Sequence, residues 1–277
     1  MTRIEKFGWR GEVRPGIGRV VSAHGDYYHL VCNETEGEVL ARKKKSAFLS
    51  PEAVRPVTGD FVTFTYNSQG ESRVTATLPR RSCFERRDPT ARRTSQVLAV
   101  NFDTLFVMMA LNADFSVPRL KRDLALAADM GEAEALVVLT KSDLCAVDEL
   151  TARVAEAVAV SPRGAAGVVA VSSRDGRGLD TVRARVVPGA TVAFVGSSGV
   201  GKSTLLNVLA GEEWMATQEI QEWSGKGRHT TTSRELVMLP SGAMVIDTPG
   251  IREIGALGEV DEIQVKGEST HRWRKRG

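Results

Sequence analysis

Residues 196–204 read Gly196-Ser197-Ser198-Gly199-Val200-Gly201-Lys202-Ser203-Thr204. The pattern is G-x-x-x-x-G-K-[ST], in which glycines let successive backbone N–H groups turn inward around phosphate oxygens. The apolar run Thr191-Val192-Ala193-Phe194-Val195 before it reads as a buried parallel strand, and Leu205-Leu206-Asn207-Val208-Leu209-Ala210 after it as a helix that Gly211 ends. A helix N-terminus beside such a loop adds its own partial positive charge. Lys202 is then expected to reach the β- and γ-phosphates of a nucleotide, and the Ser203 hydroxyl to ligate Mg²⁺.

Further motifs say which nucleotide. Thr140-Lys141-Ser142-Asp143 follows the apolar run 135–139 and resembles the [N/T]-K-x-D guanine motif of GTPases. Guanine offers two adjacent donors, N1–H and N2–H₂, and a carboxylate at Asp143 accepts both. Adenine has an acceptor at N1 and no amino group at C2, so a P-loop ATPase is disfavoured. The other reading of this stretch is a helix N-cap, since Asp and Ser commonly begin helices. Ser172-Ser173 follows Val171 at another strand end and matches the backbone loop that touches guanine O6. Asp247-Thr248-Pro249-Gly250 resembles D-x-x-G, whose Asp holds Mg²⁺ through water and whose Gly N–H senses the γ-phosphate. Lys226-Gly227-Arg228-His229-Thr230-Thr231-Thr232 precedes it as a switch I candidate. One of Thr230, Thr231 and Thr232 is expected on Mg²⁺, and Thr231 is taken as that ligand.

These motifs need strand ends to carry them. From residue 103 the chain alternates β and α: strands at 103–111, 135–139, 167–171, 191–195, 235–239 and 243–247, with helices at 118–130, 147–159 and 178–186. That is a doubly wound α/β domain with a mostly parallel sheet. Its motif order is unusual, because the guanine motif and guanine loop precede the P-loop, so the GTPase domain is circularly permuted. Residues 18–78 instead show about five short strands with turns, as a small β-barrel of the OB type requires. The expected organisation is a flexible arm at 1–15, an OB-type RNA-binding barrel at 16–80, an Arg-rich linker at 81–100, the permuted GTPase domain at 101–255 and a short basic tail at 256–277.

Charge is uneven over the 277 residues: net +6 over 1–99, −7 over 100–265 and +4 over 266–277. A basic front suggests contact with a polyanion. Lys43-Lys44-Lys45 suits a nucleic-acid face, as do Tyr27, Tyr28 or His29 if exposed for stacking. The pairs Arg80-Arg81, Arg86-Arg87 and Arg92-Arg93 are candidates for phosphate contacts. Cys32, Cys83 and Cys145 are scattered and read as reduced thiols. No apolar run approaches the roughly 20 residues of a membrane span and no signal peptide is evident, so a cytoplasmic monomer that meets no membrane is expected.

A permuted GTPase behind a small barrel resembles the RsgA (YjeQ) family of small-ribosomal-subunit-dependent GTPases. The resemblance covers about residues 16–255 and includes Pro56-Val57-Thr58-Gly59-Asp60 and Leu78-Pro79-Arg80-Arg81-Ser82. It implies hydrolysis of GTP to GDP in late 30S maturation, a barrel that contacts 16S rRNA, and stimulation by the subunit. Because Ile251 stands where Ras-type enzymes keep a water-positioning Gln, the resemblance suggests His229 as a catalytic group beside Lys202 and Thr231. The family also implies a zinc-binding domain with Cys and His ligands. No cysteine follows Cys145, so zinc is not expected in this chain. The rival reading is an RNA-binding module that binds nucleotide but turns it over poorly.

Overall fold

The computed structural model describes residues 1–50, 52–87, 95–211 and 234–247. The chain opens with a short helix, α1 (Arg3–Lys6), rather than a loose arm. Ile4 is fully buried with Ile17 and Phe61, and Trp9 packs on them. Arg3 donates to the carbonyls of Thr35 and Gly37, and the Ile4 N–H donates to Asn33 Oδ1. Six residues without periodicity are anchored by one apolar side chain and their own polar groups, which no periodic pattern reveals.

Five strands follow: β1 (Ile17–His24), β2 (Tyr27–Cys32), β3 (Val39–Lys43), β4 (Phe61–Thr65) and β5 (Ser72–Thr77). They pair in the order β1-β2-β3-β5-β4, and β4 returns to β1 to close the barrel. The β3–β5 pairing is parallel and the others antiparallel, the arrangement of an OB-type barrel. Alternate residues fill it: Val20, Leu30, Ala41, Val62, Phe64 and Val74 form one core.

The expected linker is instead largely a hairpin, β6 (Cys83–Arg87) with β7 (Ser95–Val100). Phe84, Leu98 and Ala99 belong to the core of the following domain. Its arginines and prolines mask that alternation. Arg80 and Arg81 are likewise internal: Arg80 grips the buried Asp60 through two 2.8 Å bonds, and Arg81 pairs with Asp103 and Glu132. Neither is free for phosphate, while Arg92 and Arg93 lie outside the described residues.

The second domain comprises β8 (Thr104–Ala110), α2 (Val117–Leu126), β9 (Glu134–Thr140), α3 (Val147–Val160), β10 (Val168–Ala170), α4 (Leu179–Arg183), β11 (Thr191–Val195), α5 (Lys202–Ala210), β12 (Glu235–Met238) and β13 (Met244–Asp247). The sheet runs β10-β9-β8-β11-β13-β12, parallel except for the β12–β13 hairpin. β8 and β11 are buried along their whole length, as strands covered on both faces must be. α2 starts at Ser116, whose hydroxyl accepts from the Arg119 N–H. β12 also pairs with β1 at Ser22 and Glu235, so barrel and GTPase-type sheet are one continuous set of eleven strands.

Candidate functional site

In a parallel sheet the carboxyl ends of strands share one edge, and ligands bind there. β11 runs straight into the 196–204 loop. Gly196 sits at φ +154°, and a Cβ on it would lie 2.7 Å from the Met108 carbonyl oxygen, so the tight turn demands glycine. Gly201, at φ +100°, begins α5 without any side-chain cap. A glycine at this position offers the first-turn amides of α5 no side-chain oxygen of its own, as an anion cradle requires. Lys202 Nζ folds back over the loop, 2.6 Å from the Gly196 carbonyl oxygen and 2.8 Å from that of Ser197. Ser198, Gly199, Ser203 and Thr204 are exposed around the opening, Ser197 is half-buried, and Val200 closes the loop from inside.

β9 delivers the second motif to the same edge. The buried Thr140 hydroxyl donates to the Val200 carbonyl at 2.6 Å, which fixes the 140–143 stretch against the phosphate-type loop. Lys141 adopts the left-handed conformation at φ 60°, rare for a residue with a side chain and typical of binding sites that store strain. The chain then makes one 3₁₀ turn over Ser142–Leu144. Asp143 is exposed there, and α3 begins later, after Ala146, with no side-chain cap. The helix-cap alternative for Asp143 is therefore not realised. Among the described residues Asp143 makes no hydrogen bond.

The third strand end is joined to the second. The Val171 N–H donates to the Leu139 carbonyl at 2.7 Å, and the Ser142 N–H to the Val171 carbonyl at 3.1 Å. Ser172 is fully buried, and its hydroxyl accepts from the amides of Arg174 and Asp175 at 3.2 Å each. Ser172 thus shapes the loop, and Ser173 is half-buried beside it. β13 lies parallel to β11 with Ala193 opposite Ile246, so Asp247 ends its strand beside the loop that carries Ser203. By residue type, a serine hydroxyl and an aspartate carboxylate are oxygen donors of the kind Mg²⁺ selects. Gly250, His229 and Thr231, with Thr230 and Thr232, lie outside the described residues.

A second, separate feature lies on the barrel. Arg42, Lys43, Lys44, Lys45, Thr65 and Arg73 line a shallow cationic depression. Lys44 and Lys45 are exposed, but Lys43 is only 7% exposed and bonds Asp26 at 2.7 Å. Tyr28 is buried in the barrel core, whereas Tyr27 is exposed with the Arg42 guanidinium 5.2 Å above its ring. His29 faces Glu38.

Sequence reasoning missed the residues at the domain junction. Arg19 is fully buried although charged. Its one signal was a cation inside the apolar run Ile17-Gly18-Arg19-Val20-Val21. Thr58, buried at the same junction, donates to the Arg234 carbonyl at 2.9 Å.

Residues 77–257 match the family described as RsgA GTPase. The chain is 41% identical over 238 residues to small ribosomal subunit biogenesis GTPase RsgA 2 of Lactiplantibacillus plantarum, covering 86% of this chain and 66% of that protein. It is 40% identical over 263 residues to small ribosomal subunit biogenesis GTPase RsgA 1 of Listeria innocua, covering 91% and 71%. The crystal structure of YjeQ from Thermotoga maritima superposes with a TM-score of 0.62 at 23% identity, over 86% of this chain and 76% of that one. YloQ, described as a circularly permuted GTPase, superposes at 0.55 with 21% identity, over 86% and 74%. The two structures share the fold. The chain spans about two thirds of the length of the first of these relatives, at 66%.

Proposed function

The chain belongs to the RsgA GTPase family, and on that premise we propose that it hydrolyses GTP to GDP and phosphate in late maturation of the small (30S) ribosomal subunit, as a cytoplasmic monomer. The observation that carries the nucleotide reading is the 2.6 Å bond from Thr140 to the Val200 carbonyl. It couples a base-reading stretch to a phosphate-binding loop across two strand ends, which only a ligand with both a base and phosphates would use.

In this reading the amides of Gly196–Thr204 and Lys202 hold the phosphates, and Asp143 reads the guanine N1–H and N2–H₂ edge. The loop at Ser172 and Ser173 meets guanine O6 through backbone donors. Ser203, Asp247 and Thr231 would hold Mg²⁺, which supplies charge neutralisation on the phosphates when bound. Hydrolysis breaks the bond from the γ-phosphorus to the β–γ bridging oxygen as water attacks in line. Ile251 cannot orient that water, so His229 is assigned the role, and intrinsic turnover is slow.

The barrel is assigned to 16S rRNA. Lys44, Lys45, Arg42 and Arg73 supply phosphate contacts and Tyr27 a stacking face, the combination single-stranded nucleic acid favours. No helix among the described residues is long and apolar enough to cross a membrane. The test is the rate of phosphate release from GTP with and without purified 30S subunits. Stimulated turnover that is specific for GTP over ATP is expected. Turnover indifferent to the subunit, or equal for ATP, would overturn the reading. Nucleotide binding without turnover would favour the RNA-binding module instead.

A further inference from the structure

Arg19 is the largest fully buried side chain in the described structure, and it sits where three parts of the chain meet. Its guanidinium donates to the Phe7 carbonyl at 2.5 Å, the Gly59 carbonyl at 3.3 Å and the Asn101 carbonyl at 2.9 Å. It also donates to Thr191 Oγ1 at 2.9 Å and to Met244 Sδ at 3.4 Å. One face lies 4.8 Å over the Phe61 ring. Among the described residues no carboxylate is in direct hydrogen-bond contact with it. Burial pushes the guanidinium down to about 9, against the opposing pull of Asp103 and Asp60 and with the repulsion of Arg81.

A buried cation held by neutral acceptors is a poor stabiliser compared with an apolar side chain, and its best-attested use is to fix register. The acceptors show which register. Phe7 precedes the barrel and Gly59 belongs to it. Asn101, at φ 52°, links β7 to β8. Thr191 is the first residue of β11 and Met244 the first of β13. Gly59 is itself tailored to the joint: at φ +96°, a Cβ on it would stand 2.8 Å from the Val100 carbonyl oxygen. β11 ends at the phosphate-type loop and β13 at Asp247, about 16 Å and 10 Å along the strands from Arg19's contacts. Strands buried in a sheet move as rigid rods, so a tilt of the barrel shifts both roots together.

We infer that Arg19 is a positioning residue that ties the barrel to the roots of β11 and β13, so that occupation of the barrel reaches the nucleotide site. Thr58 serves the same joint from the other side. Its bond to the Arg234 carbonyl and the Ser22–Glu235 pairing hold the start of β12 on the barrel, and the Arg234 guanidinium's bond to the Val97 carbonyl ties the same point to β7. The inference rests on the proposed subunit-stimulated GTP hydrolysis.

The experiment compares wild type with Arg19→Met, Arg19→Lys and Thr191→Val as full chains. It measures thermal unfolding, fluorescent GDP affinity, basal GTP turnover, co-sedimentation with 30S subunits and subunit-stimulated turnover. Arg19→Met is expected to keep basal turnover, GDP affinity and sedimentation within about twofold, while stimulation falls about tenfold, within the usual range of coupling between sites. Arg19→Lys, which reaches fewer acceptors, should lie between. Thr191→Val removes one acceptor with almost no change in shape, and it decides the matter if Arg19→Met fails to fold. Stimulation equal to wild type in the folded variants overturns the inference alone. Basal and stimulated rates falling in the same proportion also overturn it, because Arg19 is then a stability residue. A wild type that the subunit does not stimulate overturns the functional reading, and this inference with it.

Discussion

Asp143 stands exposed on its 3₁₀ turn, with Lys141 strained into the left-handed region just before it. If Asp143 accepts from guanine N1–H and N2–H₂, Asp143→Asn keeps an acceptor for N1–H but sets an NH₂ donor against the N2 amino group. Xanthine carries an oxygen there, so the variant should shift preference from GTP toward XTP. Each buried unpaired group costs about 1–3 kcal/mol, a swing of tenfold to several hundredfold. Competition between GTP and XTP measures it, and an unchanged preference for GTP rejects the base-reading role. Thr140 is tested differently. Thr140→Val leaves the Val200 carbonyl without its 2.6 Å donor, and nucleotide affinity should fall about tenfold, by the same unpaired-group argument. Titration with fluorescent GDP reads this, and unaltered affinity would mean that the two motifs are not coupled there. Both candidate stretches could be picked out because each is a contiguous word in the sequence, and these experiments test their roles. Arg19 could not be, because its partners come from as far as Met244, 225 positions away, and no local pattern encodes them.

At the scale of elements, period-2 alternation and short apolar runs found the strands of barrel and sheet. α1 and the β6–β7 hairpin escaped because one Ile, or a strand laced with arginines, carries too weak a pattern. The run Lys43-Lys44-Lys45 was legible as basic, but β3 turns Lys43 inward onto Asp26 and leaves Lys44 and Lys45 outward. Replacing Lys44 and Lys45 by Glu should therefore weaken 30S binding and flatten its salt dependence by about 0.7 in log–log slope per lost contact. Lys43→Glu should act on stability instead, since it sets a carboxylate against Asp26. Filter binding across a salt series, with thermal unfolding beside it, separates the two, and an unchanged slope in the outward pair rules out phosphate contact there. α2 makes a prediction of its own. Asp123 is buried between Leu120 and Leu124 on the same helix, and burial raises its carboxyl to about 6, against the pull of Arg122 and Arg119. An acid raised above its unfolded value of 3.8 keeps its proton longer in the native state. Its contribution is complete below that value and is lost as pH rises through about 6. Asp123→Asn should therefore stabilise the protein at pH 7 relative to pH 4 by about 2 kcal/mol. Urea unfolding at the two pH values checks it, and a gain equal at both would show that the carboxyl is not the cause.

The molecule as a whole is more unified than a barrel joined to a GTPase domain by a linker. β1 closes the barrel through β4 and joins the second sheet through β12. Within the barrel, the buried Asp60 holds the half-buried Arg80, with the Val57 N–H also donating to Asp60 at 2.8 Å. Arg19 is what ties the barrel across to β11 and β13. Interfaces between domains are ordinarily polar and loosely held, so each domain usually unfolds by itself. Here the buried Arg19, the β1–β12 strand pairing and the shared core make a single unfolding unit the expectation. Two consequences can be measured together. Saturating Mg²⁺ and GDP at about a hundred times their dissociation constant should add about 2.7 kcal/mol to the native state. Because the unit is shared, that gain should protect barrel amides in β2 and β3 from hydrogen exchange as much as those of β9 and β11. Asp60→Asn, which leaves the half-buried Arg80 without its carboxylate, should lower stability by about 1.5–3 kcal/mol. A single transition should persist, because Arg19 and the β1–β12 pairing still join the two parts. Exchange followed by mass spectrometry, with and without nucleotide, gives both results from one series. Wild-type barrel peptides that ignore the nucleotide would show that the eleven strands are continuous in geometry but not in cooperativity.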